Sequence, residues 1–410
     1  MTFTELTKKE FKEYLDGHEL KSFLQTPEMA SLKVKNGWQE YYVGVKEDEK
    51  VLCATMMCSK NTRFGKYFNA PRGYLIDFKN KTLLKFFTQE IKKFVKSKGG
   101  YVLNIEPKVL YKERDIDGNV VENGFDNTEV YNNLIELGYC HGGFYEHLDL
   151  SKQVRWAFVL ELDGKSKEEI FNGFKPNTRN IIRKNQKYNV KVRELEYGEL
   201  SSFTELVESS GSRKNFHSRT TEYYENMYNL FHENGEVKFL VSELDMNEYV
   251  SILRDEKDEL ETKVAKLMDA KASEGKRKEL LSQIDTLEKR LQEAEQLRKK
   301  HGDNPLMAGA MFMLYGDEIV YLFSGTESDF MALKSQYLLQ WEIIQYGIDN
   351  GYKIHNFYGI NGNFKEDDDR FGLYTFKKSF NGKVVEYLGD FDLIINKPKY
   401  YLKKIISKIK

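Results

Sequence analysis

The chain has 410 residues, of which 40% are hydrophobic and 14% aromatic, so it is long enough for two or three domains with apolar cores. Its 63 basic and 64 acidic residues leave a formal net charge of −1, which excludes a generally basic nucleic-acid coat but permits local basic patches. We expect no membrane span, because no run of about 18 apolar residues occurs, and no secretory signal, because residues 1–16 are polar and lack an apolar h-region. We therefore expect a cytoplasmic protein.

The first half of the chain alternates helical and strand patterns in a fixed order. Two helical stretches come first, three strand-like stretches follow, and a long amphipathic helix leads into a further strand. In chain order the predicted elements are helices at 7–15 and 27–36, strands at 41–45, 51–57 and 67–70, a helix at 81–98 and a strand at 101–105. We predict a first domain over residues 1–150.

The same order of elements returns in the second half, which indicates an internal duplication. The elements are helices at 200–209 and 221–233, strands at 237–243, 307–314 and 319–323, a helix at 332–350 and a strand at 353–358. This order resembles the GNAT acyltransferase fold, so we predict an α/β (α+β) protein of two tandem GNAT-like units, the second over residues 151–396. A shared fold does not by itself establish a function.

A coiled-coil pattern interrupts the second unit over residues 246–303. Leu253, Leu260 and Leu267 recur every seven residues, and a second apolar run steps by four and three from Leu280 to Leu297. The turn-forming residues lie between the two runs, at 270–278, so we predict two antiparallel helices of about 35 to 40 Å each. The charged positions suit a solvated arm, which is either an interaction spacer or an arm that reaches a large ligand.

The last segment of the chain, residues 397–410, is a basic tail. It contains six lysines and no acidic residue, and apolar residues alternate with the lysines. Such a segment can lie on an anionic membrane surface, and an ordinary basic terminal helix is the alternative. Peripheral contact with the inner face of the cytoplasmic membrane is therefore a hypothesis.

The predicted units lack the usual loop for coenzyme A. Acyltransferases that use acetyl-CoA have a loop that resembles Gln/Arg-x-x-Gly-x-Gly/Ala, and this loop holds the pyrophosphate at a helix N-terminus. The chain has no such loop after Ala70 or Phe323, and the acidic Glu327 and Asp329 would repel a diphosphate. A coenzyme A donor is disfavoured.

Several strings of residues resemble one family. They are Asn177-Thr-Arg-Asn-Ile-Ile-Arg-Lys, Asn356-Phe-Tyr-Gly, Gly372-Leu-Tyr-Thr-Phe-Lys-Lys-Ser-Phe-Asn and Glu386-Tyr-Leu-Gly-Asp-Phe. Together with the duplicated unit and its insertion, they resemble the FemABX family of non-ribosomal peptidyltransferases. The resemblance implies transfer of alanine, serine or glycine from aminoacyl-tRNA, the co-substrate, to the lysine branch of a peptidoglycan precursor, lipid-linked or UDP-linked. It implies no further cofactor.

Two residues are candidates for catalysis. Glu106 ends a predicted strand, where a carboxylate could hold and deprotonate the acceptor ammonium. The matching family position is an Asp, so this chain differs by one methylene, and a structural carboxylate is an equal alternative. The resemblance makes Lys377 a contact for the tRNA acceptor end or for the developing charge, with a strand-edge charge as the alternative.

A second set of residues is expected to bind the precursor. The resemblance assigns this role to Lys33, which is followed by Trp38, and to Arg219 and Tyr223. The spacing of four between Arg219 and Tyr223 would place both side chains on one helix face, where the guanidinium could bind a phosphate. A solvated surface charge is the alternative for both cations.

A basic stripe is the candidate contact for tRNA. Arg179, Arg183, Lys184 and Lys187 recur at helical spacing in a segment poor in acidic residues, and Lys378 is added to them as a further contact. A solvated helix face is the equal alternative.

No metal site is predicted, because His141, His147 and His217 have no carboxylate or cysteine at ligand spacing. Two other functions stay open: a coenzyme A-dependent N-acyltransferase, and a non-catalytic RNA-binding or scaffold protein. The sequence leaves the oligomeric state open.

Overall fold

The computed structural model describes residues 1–149, 151–214, 218–269 and 274–409. Two β-sheets, one of seven and one of eight strands, form the body, and helices cover them. A long helical hairpin is inserted into the second half. Within the described residues, no helix is long and apolar enough to cross a membrane.

The first half supplies most of the seven-stranded sheet, and one further strand, β15 (Phe391–Ile394), comes from the second half. With strands numbered along the chain, the order is β1-β2-β3-β4-β5-β15-β7. Thr7 caps the first helix and Thr26 caps the second, which explains where both begin. The elements are β1 (Thr2–Glu5), α1 (Lys8–Gly17), α2 (Pro27–Lys35), β2 (Gln39–Glu47), β3 (Lys50–Thr62), β4 (Gly65–Arg72), α3 (Lys81–Ser97), β5 (Gly100–Pro107), β6 (Leu110–Glu113), α4 (Thr128–Glu136) and β7 (Tyr139–His141).

The second half builds the eight-stranded sheet, whose order is β6-β14-β8-β13-β12-β11-β10-β9. Its elements are β8 (Trp156–Glu161), α5 (Lys167–Gly173), α6 (Pro176–Lys187), β9 (Lys191–Glu194), α7 (Leu200–Lys214), α8 (Thr221–Phe231), β10 (Val237–Glu243), α9 (Met246–Asp269), α10 (Glu274–His301), β11 (Leu306–Tyr315), β12 (Glu318–Thr326), α11 (Gln336–Asp349), β13 (Ile354–Gly359), α12 (Phe371–Lys378), β14 (Lys383–Tyr387), β15 (Phe391–Ile394) and α13 (Lys397–Ile409). The predicted duplication and fold class are confirmed.

The two halves exchange one strand each. β6 pairs with β14 at the edge of the second sheet, and β15 lies between β5 and β7 in the first sheet. One apolar cluster also contains Phe11 and Leu24 of the first half together with Phe203 and Met313 of the second. The division at residue 150 stays a prediction, but the two sheets are tied together across it.

The predicted coiled-coil hairpin is present as α9 and α10. Leu253, Val264, Ile284 and Ala294 are buried along it, and Lys257 pairs with Glu288 across the two helices at 2.9 Å. Its base packs on α6, where Lys187 and Glu256 form an ion pair of 2.7 Å. Part of the predicted turn, residues 270–273, lies outside the described residues.

The sheets differ in how their parallel strands end. β4 and β5 pair from Lys66–Gly100 through to Arg72–Pro107. β12 and β13 pair only from Glu318–Ile354 to Val320–Asn356, although β12 continues to Thr326. The second unit therefore has an opening between two strands, where backbone groups of β12 lack a β13 partner.

Candidate active site

Glu106 ends β5 and lies in the interior between the two halves. Its side chain is 6% exposed, and its Oε1 accepts a hydrogen bond of 2.7 Å from the backbone N–H of Gln153. Its Oε2 accepts one of 3.3 Å from the side-chain amide of Asn69. Burial raises the pKa of Glu106, and the Gln153 N–H and the Arg72 guanidinium oppose this rise. A carboxylate with a raised pKa is a better base than a solvated one.

Lys33 lies on α2 and reaches the polar side chains around Glu106. Its Nζ donates to Asn69 Oδ1 at 2.9 Å and lies 5.1 Å from the centre of the Trp38 ring. Asn69 therefore bridges Lys33 and Glu106, with its carbonyl on the cation and its amide on the carboxylate. Burial lowers the pKa of Lys33, and the nearby Glu106 raises it in part. The predicted precursor-binding and catalytic residues of the first half share one polar cluster.

Arg219 and Tyr223 approach from the second half. Thr220 caps α8, so Arg219 precedes the helix, and the prediction that both residues share one helix face is wrong. Their contact is still made, because the Arg219 guanidinium lies 5.3 Å from the centre of the Tyr223 ring. Arg219 is exposed, whereas Tyr223 packs in the apolar cluster that also contains Trp38.

The helices that carry these residues pack against each other. α2 contacts α8, and Lys35 Nζ donates to Asn226 Oδ1 at 2.5 Å across this contact. The structure therefore brings Lys33 and Trp38 of the first half to the same side of the molecule as Tyr223 and Arg219 of the second.

Lys377 lies in α12, so the alternative of a strand-edge charge is wrong. The side chain is 3% exposed, and Nζ donates to the carbonyl oxygens of Gly359 at 2.7 Å and Tyr358 at 3.2 Å. Tyr358 has a φ of 64°, which is rare for a residue with a side chain. Burial, together with the Lys377 charge, lowers the pKa of His355 to about 3. Lys377 thus places a buried positive charge at the end of β13.

A chain of hydrogen bonds connects the two predicted catalytic residues. Glu106 accepts from the Gln153 backbone, the Gln153 side-chain oxygen accepts from the Tyr358 hydroxyl at 3.1 Å, and the Tyr358 carbonyl accepts from Lys377. Gln153 lies in the segment between the halves, and Tyr358 lies in the second. Gln153 and Tyr358 therefore connect Glu106 of the first half with Lys377 of the second.

The basic stripe is only partly available to a ligand. Arg179 donates to the carbonyls of Asn172 and Phe174, at the end of α5, at 2.6 and 2.7 Å. Arg183 is exposed and lies 5.2 Å from the centre of the Phe171 ring.

Two further predicted tRNA contacts already have acidic partners. Lys187 pairs with Glu256 of the arm at 2.7 Å, and Lys378 pairs with Asp117 of the first half. A role of this stripe in tRNA binding stays a prediction.

Within the described part of the chain, His141 and the three cysteines have contacts and burial that suit structural roles. His141 hydrogen-bonds the Leu388 carbonyl at 2.9 Å, and His217 lies outside the described residues. Cys53 and Cys58 are buried and Cys140 is half-buried, all three as free thiols.

Among the described residues, His301, Glu327 and Asp329 place oxygen and nitrogen atoms within 4.8 Å of one another, close enough for a cation. Asp329 already pairs with Lys300 at 2.6 Å and with His301 at 2.7 Å. The prediction that the protein has no metal or cofactor stays a prediction.

The sequence patterns do not predict Asn69, Gln153 or Tyr358, although these residues join the site together. Tyr358 lies in the string Asn356-Phe-Tyr-Gly, one of those that carry the family resemblance, so a signal for it exists. Asn69 and Gln153 have no such signal, because their roles depend on contacts between distant parts of the chain.

The fold defines a tandem GNAT-like protein. A tandem GNAT protein from the clavulanic acid biosynthesis pathway has a TM-score of 0.50 at 7% identity, covering 96% of this chain and 98% of that one. A crystal structure of FemX has a TM-score of 0.77 at 26% identity, covering 98% and 99%.

Sequence comparison identifies the family. The FemAB family model matches residues 6–408. The chain is 31% identical over its full length to the aminoacyltransferase FemA of Staphylococcus epidermidis, with all of that protein covered. It is equally identical to FemA of Staphylococcus aureus strain MRSA252, with 99% of that protein covered. The chain belongs to the FemAB family and is an aminoacyltransferase, which confirms the resemblance found in the sequence.

Proposed function

We propose that the protein transfers alanine, serine or glycine from aminoacyl-tRNA to the lysine branch of the stem peptide of a peptidoglycan precursor, forming or extending the interpeptide bridge. One observation carries the proposal: Glu106 is linked to Lys33 through Asn69 and to Lys377 through Gln153 and Tyr358. A base for an amine and a cation for a carbonyl oxygen thus belong to one connected site.

The chemistry needs little beyond alignment and charge. An aminoacyl ester is already activated, so the enzyme has to hold a neutral amine against the ester carbonyl and stabilise the oxyanion. The new amide bond then forms as the ester C–O bond breaks, and the ribose oxygen of the tRNA leaves and takes up a proton. Glu106 would accept a proton from the acceptor ammonium, for which its raised pKa suits it. The Lys377 charge would favour the oxyanion. No covalent nucleophile is required.

The opening between β12 and β13 is the proposed place for the aminoacyl end of the tRNA. Strands that part expose backbone N–H and C=O groups, which can pair with an extended peptide-like group. Lys377 and Tyr358 lie at the end of β13 beside this opening. The donor would therefore approach from the second half and the acceptor from the first.

Precursor recognition is assigned to two cations, Lys33 and Arg219, which lie where α2 packs against α8. Arg219 is exposed and can bind a phosphate with its planar guanidinium, and Trp38 and Tyr223 offer aromatic surface. Lys33 adds a second positive charge. We favour a lipid-linked precursor over a UDP-linked one, with the protein working in the cytoplasm at the inner face of the membrane, because the last helix is basic and partly apolar.

The test is transfer of radiolabelled alanine, serine or glycine from charged tRNA to lysine-containing precursors. Lipid-linked and UDP-linked forms are compared, each unbranched and already branched by one residue. Transfer to one acceptor supports the proposal. It also identifies which amino acid is donated and which position of the interpeptide bridge it occupies. Absence of transfer to every acceptor by a folded protein would refute it, and transfer from acetyl-CoA instead would favour the N-acyltransferase alternative.

A further inference from the structure

We propose that the outer face of α13, formed by Tyr401, Leu402 and Ile405, docks on an anionic lipid bilayer. The helix is the last element of the chain and carries apolar residues on both sides. The inference deepens the proposed function by naming the surface that meets the membrane, and it rests on that function only for the identity of the precursor presented there.

The inner face of the helix is already occupied. Tyr400 is 3% exposed, and its hydroxyl donates to Asp392 Oδ2 at 2.7 Å. Lys403 places its ammonium 5.5 Å from the centre of the Tyr67 ring. The helix is thus anchored on the first sheet with a fixed orientation, and its opposite face has a fixed direction too.

The outer face is apolar and exposed. Tyr401, Leu402 and Ile405 are 52%, 51% and 57% exposed. At about 100° per residue these three side chains fall within roughly a quarter to a third of the helix circumference, away from Tyr400 and Lys403. Exposed apolar side chains that share one face of a helix, with basic residues around them, are typical of a helix that lies on a membrane surface.

The charge around this patch selects the partner. Lys397, Lys399 and Lys404 are exposed, and the segment 397–410 contains no acidic residue. An anionic headgroup layer accepts the lysines while its acyl boundary accepts the apolar side chains. RNA would use the lysines but not Leu402 and Ile405. A second copy of the helix would bring like charges together.

The helix is also connected to the candidate site. Asp392, which holds Tyr400, accepts a hydrogen bond of 2.9 Å from Asn104, and Asn104 Oδ1 accepts one of 3.2 Å from Asn69. Docking through α13 would therefore fix the position of the Lys33–Glu106 cluster relative to the bilayer surface. A precursor attached to lipid could enter the site without leaving the membrane.

Flotation of the full-length protein with vesicles tests the docking. Phosphatidylcholine vesicles with roughly 30% phosphatidylglycerol are compared with phosphatidylcholine alone. We expect binding to the anionic vesicles only, weakened by salt. The double variant Leu402→Gln/Ile405→Gln should bind at least about tenfold more weakly. Leu281→Gln, at a 41% exposed leucine of the arm, is the matched control and should bind as the wild type does.

Three outcomes would overturn the docking proposal. They are equal flotation of the double variant and the wild type, loss of tRNA binding in the double variant, and a wild-type dimer in gel filtration that the double variant abolishes. Unchanged circular dichroism and thermal melting would show that the double variant is folded.

Transfer assays separate this proposal from the proposed function. The double variant should keep transfer to a UDP-linked precursor if that form is accepted, and lose transfer to a lipid-linked one in vesicles. Vesicle binding without any transfer by the wild type would leave the docking intact and refute the transferase proposal. Transfer to lipid-linked precursor without vesicle binding would refute the docking proposal and leave the transferase proposal intact.

Discussion

Replacing Glu106 by Gln should remove the proposed base while leaving most of the surrounding hydrogen bonds in place. The amide oxygen of Gln can still accept from the Gln153 N–H, now 2.7 Å from Glu106 Oε1. Its NH₂ group would face the NH₂ of Asn69, which cannot turn over because its oxygen holds Lys33. One hydrogen bond is therefore lost, but the cost of burying a charge is removed as well, so we expect the free energy of unfolding to change by no more than about 1 to 2 kcal/mol.

The effect on transfer should be larger than the effect on stability. A positioned general base contributes about 10² to 10⁴ in rate, which corresponds to about 2.7 to 5.4 kcal/mol of transition-state free energy. We expect Glu106→Gln to lower kcat by that factor with little change in precursor binding. Glu106→Asp keeps the charge but withdraws the carboxylate by about 1.5 Å, so we expect a loss of about tenfold.

The pH dependence of transfer and of stability follows from the direction in which the pKa of Glu106 is shifted. Burial holds the folded-state pKa of Glu106 above the ordinary 4.5, so the acid limb of kcat should lie above pH 4.5 and vanish in Glu106→Gln. The same group contributes stability at low pH that is lost as the pH rises from the ordinary value through the raised one. Glu106→Gln should remove this loss in a urea titration at several pH values.

The assay is single-turnover transfer from charged tRNA with saturating precursor. Glu113→Gln is the control, because Glu113 also accepts a backbone N–H, from Phe125 at 3.1 Å, but lies outside the site. A Glu106→Gln protein that keeps its fold and transfers within about threefold of the wild type would refute the base assignment. Glu106 would then be a structural carboxylate.

Four further changes test other parts of the site and of the fold. Tyr358→Phe removes the hydroxyl that joins the halves, so kcat should fall by about three- to tenfold and the acid limb should shift, while the free energy of unfolding falls by about 1 kcal/mol. Lys377→Met should slow transfer by about 10² while precursor binding, measured by calorimetry, is retained. Arg219→Ala should abolish precursor use but keep tRNA binding in a filter assay. Glu386→Gln should lower the free energy of unfolding by about 3 to 5 kcal/mol in urea, because it leaves the buried Arg155 without its counter-charge.

Each of these outcomes has a contrary result. Equal loss of tRNA and precursor binding in Lys377→Met or Arg219→Ala would indicate misfolding and refute the division of roles. An unchanged pH profile in Tyr358→Phe would mean that the hydroxyl does not affect Glu106. Wild-type urea stability in Glu386→Gln would mean that Arg155 is solvated after all.

The sequence by itself determined the features that depend on local spacing. The heptads around Leu253 and Leu260 specify the arm, because a seven-residue apolar repeat is a local signal for a coiled coil and does not depend on the rest of the fold. The repeated order of elements specifies two similar units for the same reason. Glu106 at the end of β5 and Lys33 on α2 could be predicted because helix and strand periods are visible over a few residues.

The tertiary structure alone decided how these parts meet. No local pattern shows that β6 joins the second sheet and β15 the first, because strand pairing joins residues far apart in sequence. The same holds for Gln153 and Tyr358, whose hydrogen bond joins residues 205 positions apart. Asn69 becomes a bridge only because α2 packs against β2 and β3, so that Lys33 reaches across to Asn69 on β4. Side-chain type and spacing set what each residue can do, and the packing of distant segments sets what it touches.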